Sequence, residues 1–411
     1  MIKTTAKIKF NVIVGLSFML FLSSAAVRAD EIQMDGGGKV IKTELKGQYS
    51  CERLNSIFKD PRMGLDTSRY GFSPAENTVA LYKIKYVTTN PKKNNVEEKV
   101  SGLIAVPIGI KGPVPLLIYM HATDFSRNAT PSNPELFPEA QVVVTVFAGR
   151  GYAVFMPDYI GKGDSKVRHT YMIADCEARC GSDMIIAGKA VCEEMGVSLS
   201  GDIFLSGWSQ GAHSAMALAR MLQEEKYPGV RAVAAISGPY DMYLTWCQWL
   251  KGPTAKEVPS LIAYIILAYE EYYAELKGLA DSAERDGYKD LSMAIFDTDN
   301  LDENVIGQFG RVPGDILKDD FSRNILEGKN DFVRILKENE VYKWRPEMPV
   351  RFYYGGGDLI VSPMVAKTAY LYQKEHGAKV DIVSAGDNAS HPETFFFGIS
   401  GARKWFDAIK K

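Results

Sequence analysis

A serine hydroxyl attacks a carbonyl only when a base takes its proton and a third group holds that base in place. The pentapeptide Gly207-Trp208-Ser209-Gln210-Gly211 is where this chain offers such a hydroxyl. It follows Asp202-Ile203-Phe204-Leu205-Ser206, which reads as a short buried strand. It precedes Ala212 to Gln223, whose Ala, Leu and Met content reads as a helix. A serine at that corner takes up a strained turn, and its neighbours two positions away must lack side chains for strand and helix to approach. The two glycines meet that demand.

The base must come from one of five histidines. His391 lies in Gly386-Asp387-Asn388-Ala389-Ser390-His391-Pro392, a loop between the last apolar run and a C-terminal helix. His213 falls four residues after Ser209, about one helical turn on, so its side chain packs against the body of the helix. His169 and His376 read as surface residues. For the carboxylate there are three candidates. Asp358 follows Phe352-Tyr353-Tyr354 through Gly355-Gly356-Gly357, Asp387 lies four residues before His391, and Asp381 lies in the last apolar run.

These residues need a frame. Val79 to Thr89 and Val96 to Pro107 alternate apolar and polar residues around Asn90 to Asn95, as an antiparallel hairpin does. Continuous apolar runs follow at Leu116–Met120, Tyr152–Met156, Ile203–Leu205, Val230–Ile236, Val350–Tyr354 and Val380–Val383. Such runs suit strands covered on both faces. Helical patterns at Asp183–Met195, Gln210–Glu225, Pro363–His376 and Pro392–Lys411 alternate with them, which predicts a doubly wound α/β fold. Residues 76–239 and 346–411 form that core. Residues 240–345 break the alternation with helical patterns such as Ser260–Leu276 and with Trp246, Trp249, Tyr264, Tyr269, Tyr272 and Tyr273. They read as a helical cap inserted between two strands, its aromatic side chains mostly core. Residues 30–75 read as an irregular arm opening on Gly36-Gly37-Gly38.

The order Ser209, Asp358, His391, set on this frame from about residue 79 onward, resembles the α/β-hydrolases of the secreted lipase and esterase type. The resemblance favours Asp358 as the acid, because that fold places it at a strand's end. Tyr119-Met120-His121-Ala122-Thr123-Asp124-Phe125-Ser126-Arg127 is similar to the H-G-T-x-x-x-R loop of such lipases. By that similarity the backbone N–H groups of Thr123 and Gln210 form the oxyanion hole, and His121 braces the loop. Ala122 stands where glycine is usual, which leaves Asp124 as the alternative to Thr123. Met156-Pro157-Asp158-Tyr159-Ile160-Gly161-Lys162-Gly163-Asp164-Ser165 matches a further family stretch of structural character. The resemblance implies a serine hydrolase of carboxylic esters that needs no metal or organic cofactor. Its substrate would be a small-molecule or polysaccharide-linked ester. A serine peptidase of the same fold would use the same triad, and a binding protein with a relic site is the reading from another class.

Bulk properties bound the rest. The chain has 411 residues, is 46% hydrophobic and carries a formal charge of -2, so no basic face points to nucleic acid. Lys3, Lys7 and Lys9, the apolar run Phe10 to Leu22 and Val27-Arg28-Ala29 read as a signal peptide over residues 1–29, cleaved after Ala29. The apolar run is short for a membrane span, and the expectation is an exported protein, periplasmic or secreted. The odd count of five cysteines (Cys51, Cys176, Cys180, Cys192, Cys247) admits buried thiols or one or two bridges, with Cys176 and Cys180 placed to close a small loop.

Overall fold

The computed structural model describes residues 37–60 and 65–410. The expected signal peptide at 1–29 lies outside them. Nine strands form one sheet in the order β1-β2-β3-β5-β4-β6-β7-β8-β9. Their ranges are β1 Val40–Tyr49, β2 Val79–Asn90, β3 Val96–Pro107, β4 Val114–Met120, β5 Ala153–Pro157, β6 Leu199–Trp208, β7 Val230–Ile236, β8 Val350–Tyr354 and β9 Val380–Ser384. Strands β1 to β3 form an antiparallel meander that joins β5 antiparallel, and from β5 to β9 every neighbouring pair is parallel.

The central parallel strands are mostly apolar because helices cover both faces. Along β4, Leu116, Ile118 and Met120 enter one buried cluster while Leu117 and Tyr119 enter the other. The first face carries α3 (Ala174–Glu194), α4 (Gln210–Glu224) and α13 (Pro363–Glu375). The second carries α1 (Cys51–Ile57), α2 (Pro138–Val146) and α14 (His391–Ile409). Between β7 and β8 run eight helices: α5 Met242–Lys251, α6 Val258–Tyr272, α7 Leu279–Ala283, α8 Lys289–Phe296, α9 Glu303–Ile306, α10 Pro313–Ile316, α11 Asp319–Glu327 and α12 Asp331–Glu338. They share a third apolar cluster built on Trp246, Trp249, Tyr264 and Tyr269, which also takes in Tyr171 to Ile173 and Cys176.

Two expectations are corrected, and one open alternative is decided. The stretch read as an irregular arm supplies β1 and α1. Most of β1 is exposed, so no burial pattern betrays it, and its ladder to β2 holds it in place. The helix read from Asp183 starts nine residues earlier, at Ala174, because Asn339 Oδ1 accepts the Ala174 N–H at 2.9 Å and so caps its first turn from a distant element. No disulfide forms: all five cysteines are unpaired, and Cys176 and Cys180 lie buried within α3 itself.

The stretch before the sheet also grips the last helix. Arg69 pairs with Glu393 in the first turn of α14, Tyr70 stacks on Phe396 with ring centroids 5.6 Å apart, and Ser400 Oγ donates to the Tyr70 carbonyl at 2.8 Å.

Candidate active site

Sheet register gathers the candidates along one edge. Met120 of β4 pairs with Gly207 of β6, Gly207 with Ala235 of β7, and Ala235 with Phe352 of β8. The loops after these strands therefore leave the sheet side by side. Strand β5 lies on one side of β4 and β6 on the other, so the edge between β4 and β6 is a topological switch point, where α/β sheets bind ligands.

Ser209 occupies the corner between β6 and α4 with φ 55° and ψ −121°. A non-glycine residue held there stores on the order of 1–3 kcal/mol of strain. The close approach that compels it is measurable at the flanking glycines. A Cβ on Gly211 would lie 1.9 Å from the Met120 carbonyl oxygen, and one on Gly207 would lie 2.1 Å from the Gly211 carbonyl oxygen. The Ser209 N–H donates to the Ile236 carbonyl at 2.9 Å, and its side chain is half-buried.

His391 begins α14 and Asp358 follows β8. His391 Nδ1 lies 2.7 Å from Asp358 Oδ2. That oxygen also accepts from Ser237 Oγ at 2.5 Å, while Oδ1 accepts the N–H groups of Ile360 and Val361, each at 2.9 Å. Burial raises the carboxyl's pKa, but the imidazole, Ser237 and the Val361 N–H outweigh it, and the net shift is downward. The carboxylate is thus ionised, saturated with donors and 4% exposed. Asp381 instead pairs with Arg351 at 2.9 Å, and Asp387 is exposed. The indole of Trp208, next to Ser209, lies 4.9 Å from the His391 ring and the same distance from Phe395. His391 Nε2 has no hydrogen-bond partner among the described residues, and no hydrogen bond joins Ser209 to His391 in this conformation.

The loop after β4 is pinned from several sides. Ala122 N–H donates to Glu139 of α2 at 3.0 Å, and the carboxyl's pKa is pushed up to about 8, burial being the first cause. Lys162 Nζ, 1% exposed, donates to the carbonyls of Asp124 at 2.6 Å and Ser126 at 2.5 Å. Burial lowers its pKa to about 8. Burial also lowers His121 to about 4, and its Nδ1 lies 2.7 Å from the Ala122 carbonyl. The inserted helices reach this loop too: Arg127 N–H donates to the Thr298 carbonyl at 3.0 Å and Leu301 N–H to Ser126 Oγ at 2.8 Å. Neither Thr123 N–H nor Gln210 N–H donates within the described residues, and the side chains of the two residues meet, Thr123 Oγ1 lying 3.3 Å from Gln210 Oε1.

Of the remaining histidines, His376 is exposed and His213 is buried between Glu177 and the Asn339 carbonyl. His169 was expected at the surface but is 2% exposed. Its Nδ1 faces the Ile160 carbonyl at 2.8 Å and its Nε2 faces Gln210 Nε2 at 3.3 Å, so the site itself buries it. Sequence reasoning gave no role to Ser237, Trp208, Glu139 or Glu177. Only Trp208 carried a signal, as the variable residue between glycine and serine. A hollow of about 720 Å³ near Tyr227, Arg231 and Met348 lies at the opposite, N-terminal edge of β7 and β8.

A mostly parallel nine-stranded sheet flanked by helices, with this corner after β6, defines an α/β-hydrolase. The chain belongs to the secretory lipase family, whose model matches residues 138–409, and it is a hydrolase of the lipase and esterase kind. No curated protein matches it. Among solved structures it is similar to a candidate hydrolase from Legionella pneumophila (26% identity, TM-score 0.83, 91% of this chain and 98% of that one). The rice cell wall degrading esterase LipA from Xanthomonas oryzae shares the fold at 22% identity and TM-score 0.79, over 90% and 98% of the two chains. Candida antarctica lipase A shares it at 15% identity and TM-score 0.64, over 86% and 78%. No helix among the described residues is long and apolar enough to cross a membrane.

Proposed function

We propose that this protein is an exported serine hydrolase that cleaves carboxylic esters through an acyl-enzyme. Ser209 Oγ attacks the ester carbonyl as His391 Nε2 takes its proton. The negative oxygen of the tetrahedral intermediate rests on the N–H groups of Thr123 and Gln210. The imidazolium gives its proton to the leaving alcohol, and water resolves the acyl-enzyme by the same base. Asp358 fixes the Nδ1–H tautomer, so Nε2 is the acceptor, and its charge favours the imidazolium.

The observation that carries the reading is the 2.7 Å contact between His391 Nδ1 and a buried carboxylate already saturated by Ser237 and two backbone donors. A carboxylate so occupied has one function left, to orient the imidazole. The apolar and aromatic content of the inserted helices favours esters of apolar or aromatic acids. Export rests on the signal-peptide pattern of residues 1–29 and on the family's secretory character.

Ser209→Ala should lower p-nitrophenyl ester hydrolysis by ~10³-fold or more and abolish labelling by a fluorophosphonate, in protein whose circular dichroism is unchanged. Undiminished turnover in that variant would remove Ser209 from the mechanism. Ester and amide substrates with the same acyl group separate an esterase from a peptidase of the same fold.

A further inference from the structure

The two residues assigned as oxyanion donors are joined by their side chains as well as by the fold. Gln210 is 2% exposed, and three of its four side-chain bonding positions are occupied. Nε2 donates to Glu177 Oε1 at 2.7 Å and faces His169 Nε2 at 3.3 Å, while Oε1 accepts from Thr123 Oγ1 at 3.3 Å. The directions of these bonds follow from chemistry. His169 Nδ1 faces a carbonyl, which only accepts, so Nδ1 carries the proton of the neutral ring and Nε2 accepts from Gln210. Turning the amide over would set its oxygen against the Glu177 carboxylate and the His169 lone pair. The Thr123 hydroxyl spends its proton on Gln210, so Tyr171, at 2.8 Å, donates to Thr123.

The result is a one-way chain of donors from Tyr171 to Thr123 to Gln210, ending on Glu177. Its terminus is fixed. Glu177 is fully buried and also accepts from Ser214 Oγ at 2.7 Å and Met172 N–H at 3.0 Å, and it faces His213 Nδ1 at 3.2 Å. Its start is held as well, by the packing of the tilted Tyr171 and Tyr264 rings, 4.7 Å apart, against each other. The backbone alone leaves Thr123 on a loop, whereas Gln210 starts a buried helix. The side-chain bond ties this loop residue directly to the first residue of the helix.

We propose that this relay sets the spacing between the two oxyanion amides, which makes Glu177 and the Thr123 hydroxyl positioning residues for ester hydrolysis. The proposal rests on the function proposed above. It goes further in assigning a catalytic consequence to side chains that touch neither substrate nor nucleophile.

The test compares Thr123→Val, which keeps shape and backbone N–H but loses the hydroxyl, with Thr123→Ser, which keeps the hydroxyl. Thr123→Val should lower kcat on a p-nitrophenyl ester about 10- to 100-fold. KM should change by less than about threefold, and affinity for a trifluoromethyl ketone analogue of the same acyl group should fall in step with kcat/KM. Thr123→Ser should restore kcat to within about threefold of the parent. Glu177→Gln, which keeps volume and removes the charge at the relay's end, should move kcat in the same direction as Thr123→Val. The relay is overturned if Thr123→Val keeps its kcat, or if both Thr123 variants lose activity equally and in proportion to a fall in melting temperature. A parent protein inert to esters and to fluorophosphonate would instead defeat the function itself, and the relay with it.

Discussion

Asp358 draws its donors from both its neighbours in sequence and distant parts of the chain. Its four donors come from the end of β7, from α14 and from two residues just beyond it in the chain. Ser209, His391 and Asp358 were legible because each stands at a punctuation mark, a glycine-flanked corner or a strand end. Ser237 and Glu177 were not, since their side-chain partners lie 121 and 33 or more residues away and nothing local marks them. His169 was misread for the same reason: an isolated histidine in a polar stretch looks solvated until the fold closes over it. Glu139 is the residue whose titration should be visible. Its folded pKa of about 8 lies above the ordinary 4.5, burial being the first cause. The raised value means that its contribution to stability is complete below about pH 4.5 and is lost as the pH rises through 8. Glu139→Gln should therefore flatten the decline in urea midpoint between those pH values, gaining several kcal/mol, roughly 4, over the parent at pH 9 relative to pH 5. Parallel pH curves for the two proteins would remove the assignment.

At the scale of elements, apolar runs and glycine corners were readable while exposed or borrowed structure was not. The central parallel strands declared themselves because burial on both faces leaves mostly apolar choices. In α2 the opposite occurred. Val142-Val143-Val144-Thr145-Val146 has the composition of a strand, yet it is helical and buried against the sheet, with Thr145 Oγ1 bonding back to the Gln141 carbonyl at 2.8 Å. Packing overrode β-branched preference there. The corner after β6 is the element where a single methyl should matter most. Gly211→Ala places carbon 1.9 Å from the Met120 carbonyl oxygen, a backbone atom that cannot rotate away. The variant should lose ~3 kcal/mol or more of stability, with β4 and α4 forced apart. Chemical denaturation checks this, and a loss below about 1 kcal/mol would mean the corner is looser than drawn.

Across the whole molecule, three apolar clusters divide the core, and the third belongs only partly to the inserted helices. Tyr171 to Ile173 and Cys176 enter it from the start of α3 and the segment before it, and Tyr269 donates to the Met172 carbonyl at 3.1 Å. The insertion's own core is therefore continuous with the body of the fold through these four residues. Heat or urea should produce one transition, coincident by far-ultraviolet circular dichroism and by tryptophan fluorescence, to which the inserted Trp246 and Trp249 contribute. Two separated transitions would show the insertion folding independently. The grip of Arg69 and Tyr70 on α14 has a consequence in time. As the chain is made, the corner bearing Ser209 and the strands beside it emerge well before His391, and the early segment waits for the last helix to seat against it. On the proposed mechanism a half-made chain therefore holds a nucleophile without a base. Hydrolytic activity would begin only with the final docking event, sparing the cell's own esters while the chain is still being built.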